Sequence, residues 1–143
     1  MPGFDYRGGL TAHVTVVTRQ RHPLFTDDNL ARICLQALDE SSRRFDATLY
    51  AYCLMPDHLH LLVGLDADTT LKQFMHHFKT VSAFRLKQET SSSPWQTSYY
   101  DRILRREEDI AAAQAYVWQN PVMEGLAEKW DAYPYSGPRE AIS

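Results

Sequence analysis

Two alternating stretches, Phe45 to Leu54 and His58 to Leu65, are separated by Met55-Pro56-Asp57. Proline lacks the backbone N–H a sheet ladder needs, so the chain must turn there, and a β-hairpin is the reading that keeps both stretches extended. In the first stretch Phe45, Ala47, Leu49, Ala51 and Cys53 fall on one face, and Asp46, Thr48, Tyr50 and Tyr52 on the other. With the turn centred on Pro56, Tyr52 pairs with His60 and Leu54 with His58, which sets Tyr50 and Tyr52 beside the histidines on one open face.

The remaining elements assemble around this hairpin. Thr11 to Thr18 alternates as a strand with Ala12, Val14 and Val16 on its buried side. Thr26 reads as an N-cap before the acidic first turn Asp27-Asp28, and Leu30, Ile33, Cys34, Ala37 and Leu38 recur at helical spacing, predicting a helix over 26–41. A longer helix, with Asp68 and Thr69 as caps, is predicted by Leu71, Phe74, Met75, Phe78, Val81 and Arg85 and runs to about Lys87. The stretch from Trp95 to Leu104 reads as a fourth strand, and 107–120 as a helix stopped by Pro121, followed by an irregular packed tail. The order β-α-β-β-α-β plus a terminal helix predicts an α+β, ferredoxin-like antiparallel sheet, with helices on one face and the other open to a ligand.

A chain of 143 residues that is 44% hydrophobic and 23% charged predicts a single folded domain, 1–143, and excludes disordered and collagen-like classes. No apolar run approaches the ~20 residues of a membrane span. The start Met1-Pro2-Gly3-Phe4-Asp5 lacks the order of a signal peptide, so a cytoplasmic protein with no membrane partner is expected. Cys34 and Cys53 read as buried free thiols. The net charge of −3 does not advertise a nucleic-acid partner, but its distribution does. Lys72, Lys79, Arg85, Lys87, Arg102, Arg105 and Arg106 face only Glu89 and Asp101 across the same stretch, a local positive surface on an acidic chain.

His58-Leu59-His60 is the most informative tripeptide. Side chains at i and i+2 of a strand share a face with about 7 Å between Cα atoms, so both imidazoles can converge on one divalent ion while Leu59, Leu61 and Val63 face the core. Tyr116 is a candidate nucleophile, and Asn120, four residues on, shares its helical face. Phenols are protonated near neutrality, but a metal that polarises a phosphodiester makes such an attack feasible.

Tyr52-Cys53-Leu54-Met55-Pro56-Asp57 before His58-Leu59-His60, with Tyr116 and Asn120-Pro121-Val122 downstream, resembles the HUH single-tyrosine transposases, and most nearly their repeat-associated (REP) branch. Val16 to Phe25, the segment Trp95 to Arg102 and the Tyr133-Pro134-Tyr135-Ser136 tail are similar too, so the resemblance spans nearly the whole chain. It implies a metal-dependent single-stranded DNA endonuclease and strand-transferase working through a 5′-phosphotyrosine, with hairpin-containing DNA as partner and Mg²⁺ or Mn²⁺ as cofactor. By the resemblance His58 and His60 bind the metal, Tyr116 attacks the phosphate, and Asn120 is the third ligand, with Gln119 as its rival. Pro121 biases Asn120 out of the helix and favours it for that role. Lys72, Lys79, Arg85, Arg102, Arg105, Arg106 and Tyr52 are expected to contact DNA. The protein is expected as a monomer or homodimer. The competing reading is a binding module of the same fold that never cuts.

Overall fold

The structure, a computed structural model, describes residues 9–138, and Met1–Asp5, from which the absence of a signal peptide was read, lies outside them. The elements run β1 (Leu10–Val17), α1 (Asp28–Arg44), β2 (Thr48–Met55), β3 (His58–Leu65), α2 (Leu71–Thr90), β4 (Tyr100–Leu104), α3 (Glu107–Met123) and β5 (Ser136–Gly137). They form one antiparallel sheet in the order β4-β1-β3-β2-β5. The predicted α+β, ferredoxin-like order is present, and β5 extends the sheet from the segment read as an irregular tail.

One face of the sheet carries Val14, Val16, Leu54, Leu59, Leu61 and Val63, which pack against Ala31, Cys34 and Leu38 of α1 and Phe74, Met75 and Phe78 of α2. Leu59, Leu61 and Val63 are fully buried there, as the alternation predicts. The second face is not left wholly open. There α3 lies over β2 and β3, burying Ile110 and Val117 against Ala51, Cys53, Met55 and Leu62. Leu104 at the end of β4 joins this cluster, and the part of the face left exposed is the stretch of β4 holding Tyr100 and Arg102.

Local chemistry moves several element ends. Asp27 caps α1, its carboxylate accepting from the N–H of Leu30, because the chain around Thr26 is still a 3₁₀ turn. Thr70 caps α2 in a capping box with Gln73, one residue beyond the predicted caps, and the helix continues to Thr90. The fourth strand begins only at Tyr100. Before it, Trp95 is buried with its indole N–H donating to Ser82 Oγ at 2.9 Å, and Lys79 Nζ donates to the carbonyls of Gln96 and Thr97, both at 2.8 Å. Pro121 does not stop α3, which runs through it to Met123. Asn120 and Pro121 are both buried, and that packing outweighs one missing helical hydrogen bond and the bias on the residue before proline.

The hairpin differs in register. Pro56-Asp57 is a two-residue turn, so Met55 pairs with His58, Leu54 with Leu59 and Cys53 with His60. A bulge between Leu49 and Ala51 turns Tyr50 onto the α3 side, where its ring lies over Gly64, and a Cβ on Gly64 would sit 2.8 Å from Tyr50 Cε2. Tyr52 pairs with Leu61, packs on the α1–α2 side and crosses Gly137 of β5. It therefore lies on the face opposite His60, not beside it. Both cysteines are free and buried, and burial pushes both thiols up, Cys53 to about 11, so both stay inert near neutrality.

Candidate functional site

β3 carries His58 and His60 on the α3 face, with ring centroids 4.8 Å apart. The registers then build the surroundings row by row. Thr15 of β1 lies opposite His60, with Tyr100 of β4 beyond it; His13 lies opposite Leu62, with Arg102 beyond. Over this floor α3 presents Tyr116, whose ring is 5.6 Å from that of His60 and 5.8 Å from that of His13, edge-on in both cases. Tyr116 is 50% exposed, so its phenol can be reached from solvent.

Each imidazole has one nitrogen already engaged. Nδ1 of His58 lies 2.7 Å from Oδ1 of Asp57, and Asp57 is held in turn by Arg21 at 3.2 Å. Nδ1 of His60 faces Thr15 Oγ1 at 3.2 Å and His13 Nε2 at 3.3 Å. Carboxylate and hydroxyl partners of this kind fix ring orientation and leave Nε2 of both rings for another ligand. Burial, with the neighbouring His58 and His13 adding to it, pushes the pKa of His60 down to about 3, so the ring is neutral at physiological pH. Burial and then the charge of Arg102 lower His13. Burial raises the Asp57 carboxyl, but His58 and Arg21 outweigh it and hold the group below its ordinary value.

Asn120, one turn beyond Tyr116 on the same helical face, is buried, and its Oδ1 has no hydrogen-bond partner among the described residues. Leaving a buried amide oxygen unmatched costs about 1–3 kcal/mol. Gln119 is exposed instead. On the uncovered side of Tyr116 a groove of about 380 Å³ is floored by His13, Thr15, His60, Arg102 and Leu104 and walled by Asp109, Ala112, Ala113 and Tyr116.

The structure thus brings together His58, His60 and Tyr116, and of the seven expected DNA contacts it places Arg102 in this groove. Lys79 is committed to the carbonyls of Gln96 and Thr97, and Arg85 pairs through both terminal guanidinium nitrogens with Glu40 of α1. Both lie on the α1–α2 side and hold the fold. Arg106 pairs with Glu108 and Asp109 at the start of α3, while Arg105 and Lys72 are exposed outside the groove. His13, Thr15 and Asp57 were not singled out by sequence reasoning. Asp57 was signalled by its place in the turn beside His58, whereas the other two depend on the β1–β3 register, which no local pattern reveals.

Fold and cluster together define a class: sheet proteins in which paired strand histidines face a tyrosine carried on a covering helix. The chain belongs to the IS200-like transposase family, whose model matches residues 7–120, a span that includes His58, His60, Tyr116 and Asn120. A Haemophilus influenzae protein named for the REP-associated tyrosine transposases is 25% identical over 144 residues, covering 92% of this chain and 81% of that one. Among solved structures, a REP-associated tyrosine transposase bound to a REP hairpin superposes with a TM-score of 0.78 at 20% identity, over 95% of this chain and 80% of that one. A Deinococcus radiodurans R1 protein of the transposase class matches at a TM-score of 0.60 and 26% identity, over 88% and 95% of the two chains. Among the described residues, no helix is long and apolar enough to cross a membrane.

Proposed function

We propose that the chain is a single-stranded DNA endonuclease and strand-transferase that uses Tyr116 as its nucleophile and acts on hairpin-containing DNA. The observation that carries the reading is the half-exposed phenol of Tyr116 seated against the rings of His60 and His13. In the proposed reaction the Tyr116 oxygen forms a bond to a backbone phosphorus and loses its proton to solvent. The bond from phosphorus to the 3′-oxygen breaks, the 3′-oxygen takes up a proton, and the 5′ side remains as a phosphotyrosine. Attack by a 3′-hydroxyl on that linkage reverses the step and joins strands.

His58, His60 and Asn120 are the proposed holders of Mg²⁺ or Mn²⁺. The fit rests on their chemistry: two imidazoles whose Nδ1 atoms are engaged and whose Nε2 atoms are left for a ligand, that of His60 held neutral by burial, and a buried amide oxygen with no partner among the described residues. Among the described residues, no three His, Cys, Asp or Glu side chains converge into a metal cluster. A bound ion would supply Lewis acidity toward the phosphate. The protein's own part is to hold Tyr116 rigidly on α3, through buried Ile110 and Val117, above imidazoles locked by Asp57 and Thr15. A hairpin substrate is favoured by the relatives named for REP elements, one of them bound to a REP hairpin.

The test is incubation of the protein with an end-labelled DNA hairpin bearing single-stranded flanks, in Mn²⁺. A denaturation-resistant protein–DNA adduct is expected, abolished by EDTA and absent in Tyr116→Phe. Binding without adduct or cleavage would replace this reading with that of a non-cutting DNA-binding module.

A further inference from the structure

The β4 edge of the sheet carries a residue that the proposed chemistry does not use. Tyr100 is 69% exposed, one of the most exposed large apolar side chains among the described residues, and it comes from a regular strand rather than a loop. Its register partner is Thr15, and Thr15 is the register partner of His60, so Tyr100, Thr15 and His60 form one transverse row on the same face. Arg102, two residues along the same strand, shares that face and reaches the groove beside Tyr116, which Asp109 also lines. An exposed aromatic ring, an adjacent cation and a groove leading to the candidate nucleophile are the parts of a single-strand platform: the ring offers its face to a base, and the guanidinium meets the phosphate.

Building on the reading of Tyr116 as a nuclease residue, we infer that Tyr100 is a stacking platform for an unpaired base next to the cleaved phosphate, and that Arg102 holds the intervening backbone. The register carries this assignment. Tyr52, expected on this face, is turned to the other side, and α3 covers β2 and β3 and reaches β4 at Leu104, leaving Tyr100 exposed. Of the surface beside His60, the β4 edge is the part left for an incoming strand. A duplex would keep its bases paired and stacked inside, whereas a single strand can turn one base onto the ring, so the platform selects single-stranded flanks.

The experiment uses a DNA hairpin whose single-stranded flank carries 2-aminopurine, titrated with protein in EDTA so that binding is read without cleavage. Wild type and Tyr100→Trp should quench the fluorophore, and Tyr100→Phe should bind within about twofold of wild type. Tyr100→Ala should lose the quenching and bind about 5- to 150-fold more weakly. Tyr100 is exposed on a strand, so the alanine variant is expected to fold, which circular dichroism checks. Unchanged affinity and quenching in Tyr100→Ala, or no binding of the flanked hairpin by wild type, would overturn the inference. In a parallel Mn²⁺ reaction, failure to form an adduct with Tyr100-dependent binding intact would remove the nuclease reading and leave the platform standing.

Discussion

Replacing Asp57 by alanine should damage the proposed metal site without dismantling the fold. Asp57 accepts a hydrogen bond from His58 Nδ1 at 2.7 Å, and the two side chains are 29% and 19% exposed, so the bond is partly shielded from water. Bonds to a charged group in such surroundings contribute about 1.5–3 kcal/mol. The aspartate also selects the tautomer that leaves His58 Nε2 free for a cation. Losing that selection should weaken Mn²⁺ binding about 10- to 100-fold, the usual effect of removing the carboxylate behind a ligating histidine and equivalent to about 1.4–2.7 kcal/mol. Asp57→Asn keeps an acceptor and should lose less. Arg21→Ala removes only a mostly exposed partner, with a side chain 65% accessible, and should change affinity no more than a few-fold. Isothermal titration of Mn²⁺ into the three variants measures the series. Wild-type affinity in Asp57→Ala, or a larger loss in Arg21→Ala than in Asp57→Ala, would refute the view that this carboxylate orients His58.

Three further outcomes are expected. Asn120→Leu should leave the metal-free protein as stable as wild type or up to about 1–3 kcal/mol more stable in urea, because it replaces an unmatched buried amide oxygen, while Mn²⁺-dependent cleavage is lost; a strongly destabilised variant would show that the amide has a structural partner. Ser82→Ala should orphan the buried indole N–H of Trp95 and lower stability by about 1–3 kcal/mol, visible as a drop in the urea midpoint at unchanged slope. The folded-state pKa of His60, about 3, lies below its ordinary 6.5, so between these values the unfolded chain binds the extra proton. Metal-free stability should therefore fall as pH drops from about 6.5 toward 3, by up to about 1.4 kcal/mol per unit. A His60→Asn variant should flatten that dependence in urea titrations at pH 7 and 5, and equal slopes in the two proteins would contradict it.

The parts of the fold that were legible are those written in local periodicity. Leu59, Leu61 and Val63 alternate with His58 and His60, and that alternation alone places the histidines on the face away from α1 and α2. What was not legible depends on contacts distant in sequence or on one-residue shifts. Whether the turn holds two residues or three decides whether Cys53 or Tyr52 sits opposite His60, and a single slip exchanges faces. The bulge at Tyr50 reverses the alternation a second time, so no reading of β2 with one unbroken period could have placed both tyrosines. The Asn120-Pro121 step reads as a helix end because proline disfavours the helical region before it, yet both residues are buried and the helix carries on to Met123. Charge was legible as a count but not as a pairing: Lys79 donates to the carbonyls of Gln96 and Thr97 and Arg85 pairs with Glu40, partners that no local pattern reveals.

The central claim is that one named oxygen becomes covalently linked to DNA, and the measurement that tests it most directly is peptide mapping of the adduct by mass spectrometry. Cleavage after Arg106 and Lys129 releases residues 107–129, which hold a single tyrosine, Tyr116, whereas Tyr99 and Tyr100 fall together in the peptide 88–102. Wild-type protein trapped on a hairpin with a single-stranded flank in Mn²⁺ should carry the nucleotide mass on 107–129, with fragmentation assigning it to Tyr116. The mass on 88–102, or on the segment holding Tyr133 and Tyr135, would contradict the account.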